Sequence, residues 1–313
     1  MTQEKSFQGV VIKSTGSLYT VQTADGQRYP CVVKGNFRIK GIRSTNPIAV
    51  GDYVVFDKPQ GAQQGIIKEL LERKNYIVRR AANLSKQVHV VAANIDQAIL
   101  VVTLKEPETH LEFIDRYLAT AEAYRIPAVL VFNKCDIYLP EEKKTVRQCM
   151  ELYQRIGYPC LETSAEKKIN IEAFRQLLAG KTSLLSGVSG TGKSSLINAV
   201  EPQLNLKTAP LSSYHHAGVH TTTFAEMFPL SFGGYIIDTP GIRGFGVIDM
   251  NKNEIFHFFP EIFKAARDCR FYNCLHIQEP GCAVIEAVRK GEIAWSRYRS
   301  YLSIYEDKNE KYR

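Results

Sequence analysis

Residues Gly187-Val188-Ser189-Gly190-Thr191-Gly192-Lys193-Ser194 match G-x-x-x-x-G-K-[ST], a spacing whose chemistry is phosphate binding. Glycines let backbone N–H groups wrap phosphate oxygens, and the helix that follows turns its positive end toward them. On this reading Lys193 reaches the β- and γ-phosphates, Ser194 ligates Mg²⁺ and Ser195 lies beside it. Residues 182–186 read as the strand running in, and 195–200 as the helix running out.

Three further segments divide the remaining work on a nucleotide. Asn133-Lys134-Cys135-Asp136 follows an apolar run at 128–132 and would choose the base. The Asp136 carboxylate can accept from the ring N–H and the exocyclic amine of guanine, a donor pair that adenine lacks at that edge. Asn133 would fix the loop and the purine edge, and the Lys134 stem would lie over the base. Thr163-Ser164-Ala165 closes the next strand, 160–162, and belongs to the same base site. Asp238-Thr239-Pro240-Gly241 ends the strand at 235–237; there Asp238 would hold Mg²⁺ through water and the Gly241 N–H would sense the γ-phosphate. Gly218-Val219-His220-Thr221-Thr222-Thr223 is suited to a mobile switch in which one hydroxyl ligates Mg²⁺. Thr222 is the candidate, although residue type does not choose among the three threonines.

The order of these segments implies an architecture. In an ordinary GTPase the phosphate loop leads and the base-reading segments trail, whereas here the base readers come first. A circularly permuted P-loop GTPase domain keeps every functional loop at the carboxyl ends of its parallel strands, because an α/β sheet binds ligand there whatever its connections.

The elements around this centre are of other kinds. Short β-type runs at 10–12, 18–21, 29–33 and 53–56, separated by Gly16, Asp25-Gly26, Gly35 and Gly51-Asp52, predict an N-terminal OB-like β-barrel. The chain carries 40 Lys and Arg against 32 Asp and Glu, a formal charge of +8. Residues 1–80 hold 13 basic against 6 acidic residues, so nearly the whole excess sits on this module. That localisation suits a phosphate-rich partner, with Lys34, Arg38, Lys40, Arg43, Arg79 and Arg80 as candidate contacts; a plain soluble surface is the other reading. Of Tyr19, Tyr29, Phe37, Tyr53 and Phe56, most are expected inside the barrel, and one could stack on a base.

Near the C-terminus, Cys269-x₄-Cys274-x-His276-x₅-Cys282 offers three thiolates and an imidazole, a closed tetrahedral shell for a structural Zn²⁺. The alternative is a surface histidine beside a core thiol. Helices at 283–288 and 294–302 should pack their aromatics against this turn. Cys31, Cys135, Cys149 and Cys160 stand singly, which together with the lack of a signal peptide suits a reducing cytoplasm. The apolar runs are of strand length, so no membrane span is expected. The expected division is 1–80 for an RNA-binding barrel, 81–245 for the permuted GTPase domain and 246–313 for a helical zinc-binding domain, with residues 79–83 as the first connector.

The permuted order, the basic β-rich N-terminus and the cysteine cluster together resemble the ribosome small-subunit-dependent GTPase A family (RsgA, also called YjeQ), over essentially the whole chain. The resemblance implies a GTPase acting late in maturation of the small ribosomal subunit, stimulated by that subunit, and its zinc motif is matched residue for residue. A small ribosomal subunit with its rRNA is thus the expected partner, GTP or GDP, Mg²⁺ and one Zn²⁺ the expected ligands, and a monomer the expected state. Ile242 stands where small GTPases often carry a water-orienting glutamine. The family has a histidine before its threonine run that has been considered for that role, and His220 occupies the position; a ribosome contact or a packed loop residue are the alternatives. Val219 replaces the basic residue usual before that histidine, which leaves position 219 without a phosphate or RNA contact. Two rival classes remain: an assembly factor whose output is binding, with nucleotide as an affinity switch, and a free-standing nucleotide hydrolase or metabolic phosphotransferase that uses the same loop.

Overall fold

Alternating apolar residues broken by Gly and Asp turns build five strands: β1 (Lys5–Ser14), β2 (Leu18–Thr23), β3 (Arg28–Val33), β4 (Tyr53–Lys58) and β5 (Gly65–Leu70). The computed structural model describes residues 5–33, 48–59, 61–80, 88–206, 225–238 and 251–306. Antiparallel pairs β1–β2, β2–β3, β5–β4 and β4–β1, with β3–β5 parallel, close these strands into a barrel. Closure removes the exposed edges that an open five-stranded sheet would carry. The inward-facing residues Val11, Tyr19, Val21, Cys31, Val54, Phe56 and Ile67 form one core with Ile48.

The expectation that aromatics fill the barrel holds for Tyr19 and Phe56 and fails for Tyr53, which is 44% exposed. Tyr53 sits one residue out of phase with Val54 on β4, so the two-residue period turns it to solvent. Tyr29 is half-buried in a ring cluster with Phe7 and Phe56. Lys34, Phe37, Arg38, Lys40 and Arg43 lie outside the described residues.

Next come β6 (Tyr76–Arg80) and β7 (Val88–Ala93), an antiparallel pair in which Arg79 faces His89 and Arg80 faces Val88. Arg79 and Arg80 therefore belong to a ladder and not to a connector, because their backbone groups are taken up by a partner strand. Residues 81–83 lie outside the described residues.

The rest of the chain alternates strands and helices: β8 (Gln97–Val102), α1 (Leu111–Ala123), β9 (Ala128–Phe132), α2 (Pro140–Ile156), β10 (Cys160–Glu162), α3 (Ile171–Leu178), β11 (Thr182–Ser186), α4 (Lys193–Val200), β12 (Glu226–Pro229), β13 (Tyr235–Asp238), α5 (Pro260–Ala266), α6 (Ala283–Arg289) and α7 (Trp295–Glu306). Strands β8 and β9 are buried throughout, the pattern of parallel strands whose two faces are both shielded from water.

The chain divides into two compact units: residues 1–97 with 176–185 and 214–242, and residues 98–175 with 186–213 and 243–313. In the first, β11 runs parallel to β13, β13 pairs with β12, and β12 reaches β1 at Glu226 and Lys13. In the second, β8, β9 and β10 are parallel, and α1 begins the helical layer. Its buried stripe includes Ile114, Tyr117, Leu118 and Ala121, as the helical spacing predicts. Ala119 of α1 shares a core with Phe259, Ile262, Val284, Tyr298, Tyr301 and Ile304 of the C-terminal helices.

That helical contact carries a buried charge. Arg297 of α7, fully buried, donates to Asp115 Oδ1 of α1 at 2.8 Å and to the Glu261 carboxylate of α5 at 2.6 and 3.2 Å. Tyr153 of α2 also donates to Asp115 Oδ1, at 2.8 Å, and the guanidinium lies 4.6 Å from the Phe259 ring centre. Burial raises the Asp115 carboxyl above its ordinary value, with Arg297 opposing.

Candidate functional site: a nucleotide loop cluster and a cysteine-histidine turn

The phosphate loop leaves β11 and enters α4 through Gly187, Gly190 and Gly192, at φ of 148°, 89° and 92°. Two of these glycines are forced by space as well as by backbone. A Cβ on Gly187 would meet the Val101 carbonyl at 2.4 Å, and one on Gly192 the Asn133 amide nitrogen at 2.3 Å. Thr191 Oγ1 braces the loop by donating to the Val188 carbonyl at 2.9 Å. Lys193 Nζ donates back to the carbonyls of Gly187 and Val188 at 2.8 and 3.0 Å, so its ammonium lies over the loop. Ser194 and Ser195 are half-buried on the first turn of α4, and Ser189 is exposed at the loop tip.

Asn133, 1% exposed, ties the three base and phosphate segments of this unit together. Its side chain donates to the Thr191 carbonyl at 2.8 Å and accepts from Thr163 Oγ1 at 3.1 Å and from the Ala165 N–H at 3.4 Å. Its own N–H donates to the Val102 carbonyl at 2.9 Å, at the end of β8. One buried amide thus sets the spacing of N-K-x-D, T-S-A and the phosphate loop, and the sequence expectation that these assemble is met. Ser164 is fully buried; its hydroxyl accepts from the Lys167 N–H at 3.0 Å and closes the turn after β10.

Lys134 takes the left-handed conformation, at φ of 63°, and its ammonium donates to the Glu106 carbonyl. Burial lowers its pKa, with Glu106 and Asp136 opposing. Asp136 lies half-buried in the short 3₁₀ turn Cys135–Ile137, and among the described residues its carboxylate accepts no hydrogen bond. An acceptor held in place without a partner suits a ligand with two adjacent donors.

One participant had no sequence signal. Tyr138, 5% exposed, donates from its hydroxyl to the Asn133 carbonyl at 2.8 Å and accepts from the Leu104 N–H at 2.9 Å. No motif carries a tyrosine at this offset, and it reads in sequence as one more core aromatic.

Asp238 is the last residue of β13, as expected, and faces Glu226 across the ladder. Its side chain, residues 239–246 with Gly241 and Ile242, and the switch with Val219, His220, Thr221, Thr222 and Thr223 lie outside the described residues.

The second cluster is Cys269, Cys274, His276 and Cys282, whose ligand atoms all lie within 4.8 Å of one another. The Cys269 and Cys282 sulfurs are 3.9 Å apart, and His276 Nδ1 is 3.6 and 3.5 Å from them. A tetrahedral zinc shell demands sulfur–sulfur spacings of about 3.8 Å and sulfur–nitrogen spacings of about 3.6 Å, so the donors fit the ion. Burial first, and then the neighbouring Cys282 and Cys269 sulfurs, push the Cys274 thiol up to about 12, a cost that a dication reverses. The turn is braced from outside. Glu279 accepts from the N–H groups of Leu275, Ile277 and Gln278 at 2.7, 2.8 and 3.0 Å. Tyr298 and Tyr301 of α7 donate to the carbonyls of His276 and Leu275, as the expected packing of these aromatics requires. Trp295 is the exception, at 61% exposed. No described helix is long and apolar enough to cross a membrane.

With this geometry in hand, the chain compares closely with known proteins. A family model described as RsgA GTPase matches residues 70–248, and one described as RsgA N-terminal domain matches residues 8–67. A protein of Christiangramia forsetii named small ribosomal subunit biogenesis GTPase RsgA is 56% identical over 308 residues, 98% of either chain. Its namesake in Bacteroides fragilis is 56% identical over 306 residues, covering 97% of this chain and 98% of the other. Among solved structures, YjeQ from Thermotoga maritima superposes with a TM-score of 0.78 at 36% identity, over 96% of this chain and 98% of that one. YloQ, described as a circularly permuted GTPase, superposes with a TM-score of 0.75 at 28% identity over 98% of both chains. The motif order, the closed barrel and these matches lead to one conclusion: the chain belongs to the RsgA GTPase family.

Proposed function

We infer that this chain hydrolyses GTP to GDP and phosphate during biogenesis of the small ribosomal subunit, the role named for its relatives. The observation that carries the reading is the buried Asn133 amide, which joins the base-reading segments to the phosphate loop in one cluster. Asp136 would receive the guanine donors, with Asn133, Lys134, Thr163, Ser164 and Ala165 holding the base loops. Residues Gly187 to Ser195 would wrap the phosphates, and Lys193 would exchange its loop carbonyls for β- and γ-phosphate oxygens. Mg²⁺ would be held by Ser194, Thr222 and Asp238 and would neutralise phosphate charge, with Gly241 as the proposed γ-phosphate sensor. His220 is the proposed group that orients the attacking water.

Cys269, Cys274, His276 and Cys282 would hold one structural Zn²⁺, and the basic barrel would contact rRNA. The proposed functional division is 1–80, 81–245 and 246–313, in a cytoplasmic monomer whose turnover is gated by the small subunit. The free-standing hydrolase is the less favoured reading.

Steady-state GTP hydrolysis with and without small ribosomal subunits, with large subunits as control, tests this. Stimulation by small subunits alone, on the order of a hundredfold or more, is the expected result. Equal rates in all three would overturn the gating. Asp136→Asn should move preference from guanine toward xanthine nucleotides, and retained guanine selectivity would remove Asp136 from the base site.

A further inference from the structure

We propose that Tyr138 is a specificity-positioning residue, whose hydroxyl locks the 133–138 loop shut so that the Asp136 carboxylate is held at the guanine edge. The inference rests on the guanine-site reading above and adds a residue to it. Tyr138 closes the loop on itself: its hydroxyl donates to the carbonyl of Asn133, the residue that opens the loop. The same oxygen accepts from the Leu104 N–H, which anchors the closed loop to the segment after β8. Lys134, inside the loop, makes a second tie to that segment through the Glu106 carbonyl. The enclosed turn contains a non-glycine residue at positive φ, a conformation that persists only where neighbours over-determine it. Asp136 sits on the 3₁₀ turn between those two anchors.

The phenol is suited to the task. It is 5% exposed, and burial pushes its pKa up to about 12, so it stays neutral and can donate and accept at once. Phenylalanine would keep the ring and remove both bonds. The Leu104 N–H and the Asn133 carbonyl would then lose a buried partner, and the loop would relax to recover one. Base reading by Asp136 depends on two bonds to adjacent donors, so it suffers more from a shift of the loop than phosphate binding does.

The test is competitive binding of GDP and of IDP, which lacks the exocyclic amine, to the full chain and to Tyr138→Phe. Tyr138→Phe should weaken GDP about tenfold and IDP about twofold, narrowing the ratio about fivefold. Tyr158→Phe is the control for loss of a buried hydroxyl bond elsewhere, since Tyr158 donates to Glu122 at 3.0 Å. It should leave the ratio unchanged. Equal weakening of both nucleotides by Tyr138→Phe would show a merely structural role and overturn the proposal. An unchanged ratio would overturn it too.

Asp136→Asn separates the two layers of argument. If it fails to alter base preference, the base site itself is misassigned; if it alters preference while Tyr138→Phe does not, only the Tyr138 proposal falls. Should Tyr138→Phe lose its near-ultraviolet signal, hydrogen exchange on the unaltered chain decides. GDP should slow the Leu104 amide more than IDP does at equal saturation, and equal slowing would overturn the proposal.

Discussion

Replacing Arg297 by Met tests whether the junction of α1, α5 and α7 is held by one guanidinium. The methionine stem keeps much of the contact with Phe259 and removes the charge that Asp115 and Glu261 share. Breaking a buried pair by deleting one partner costs about 3–5 kcal/mol, because the other charge stays buried. Two carboxylates lose their counter-charge here, Asp115 keeping only the Tyr153 hydroxyl among the donors described above, so the upper part of that range is expected near pH 8.

The loss has a pH signature. Asp115 is already raised by burial, and Arg297 is the charge that opposes the rise. Without it the folded carboxyl climbs further above its unfolded value. The folded state then binds more protons than the unfolded one, so stability falls as pH rises between the two values, by about 1.4 kcal/mol per pH unit for one group. Urea denaturation at pH 5.5 and pH 8, followed by circular dichroism and by the fluorescence of Trp295, the single tryptophan at the head of α7, reads both quantities. Adding Asp115→Asn should recover part of the loss and flatten the pH dependence. A loss below about 1 kcal/mol at both pH values would refute the reasoning.

Gly192→Ala should reduce nucleotide binding by two orders of magnitude or more while the barrel stays folded, since its Cβ would strike the Asn133 amide at a φ of 92°; equilibrium binding of a fluorescent GDP analogue measures it. Purified protein should carry about one zinc per chain, and its removal by a chelator should destabilise α5, α6 and α7 ahead of the barrel, read by hydrogen exchange. Glu279→Ala should speed zinc loss to a chelator about 10- to 100-fold at pH 7. Burial alone would raise the Glu279 carboxyl, yet the N–H groups of Leu275 and Ile277 outweigh it and hold the pKa below the usual range. The bracing is therefore present above the unfolded value near pH ~4.3 and lost as pH falls through the folded one, so the two proteins should converge in acid.

Chemistry confined to short, contiguous stretches was legible in the chain. G-x-x-x-x-G-K-S, N-K-x-D, T-S-A and the cysteine-histidine run each bring their donors within a few residues, and backbone geometry does the rest. Their order gave the permutation, and the two-residue period with Gly and Asp turns gave four of the five barrel strands. The fifth, β5, went unread because Gly65-Ile66-Ile67-Lys68-Glu69-Leu70 mixes charge into its run and is completed only by β3 and β4.

Long-range partnership was what the sequence withheld. Arg297 and Asp115 are 182 positions apart, and an arginine at the start of an amphipathic helix reads as solvated until the tertiary structure buries it against α1. Arg79 and Arg80 read as a linker because a strand is recognisable only once its partner is known. Tyr138 resembles any core aromatic until its hydroxyl is seen to meet Asn133 and Leu104. Residue types and spacing settle which groups can react; which backbone each buried polar atom must satisfy is decided by packing, since only packing excludes the water that would otherwise satisfy it.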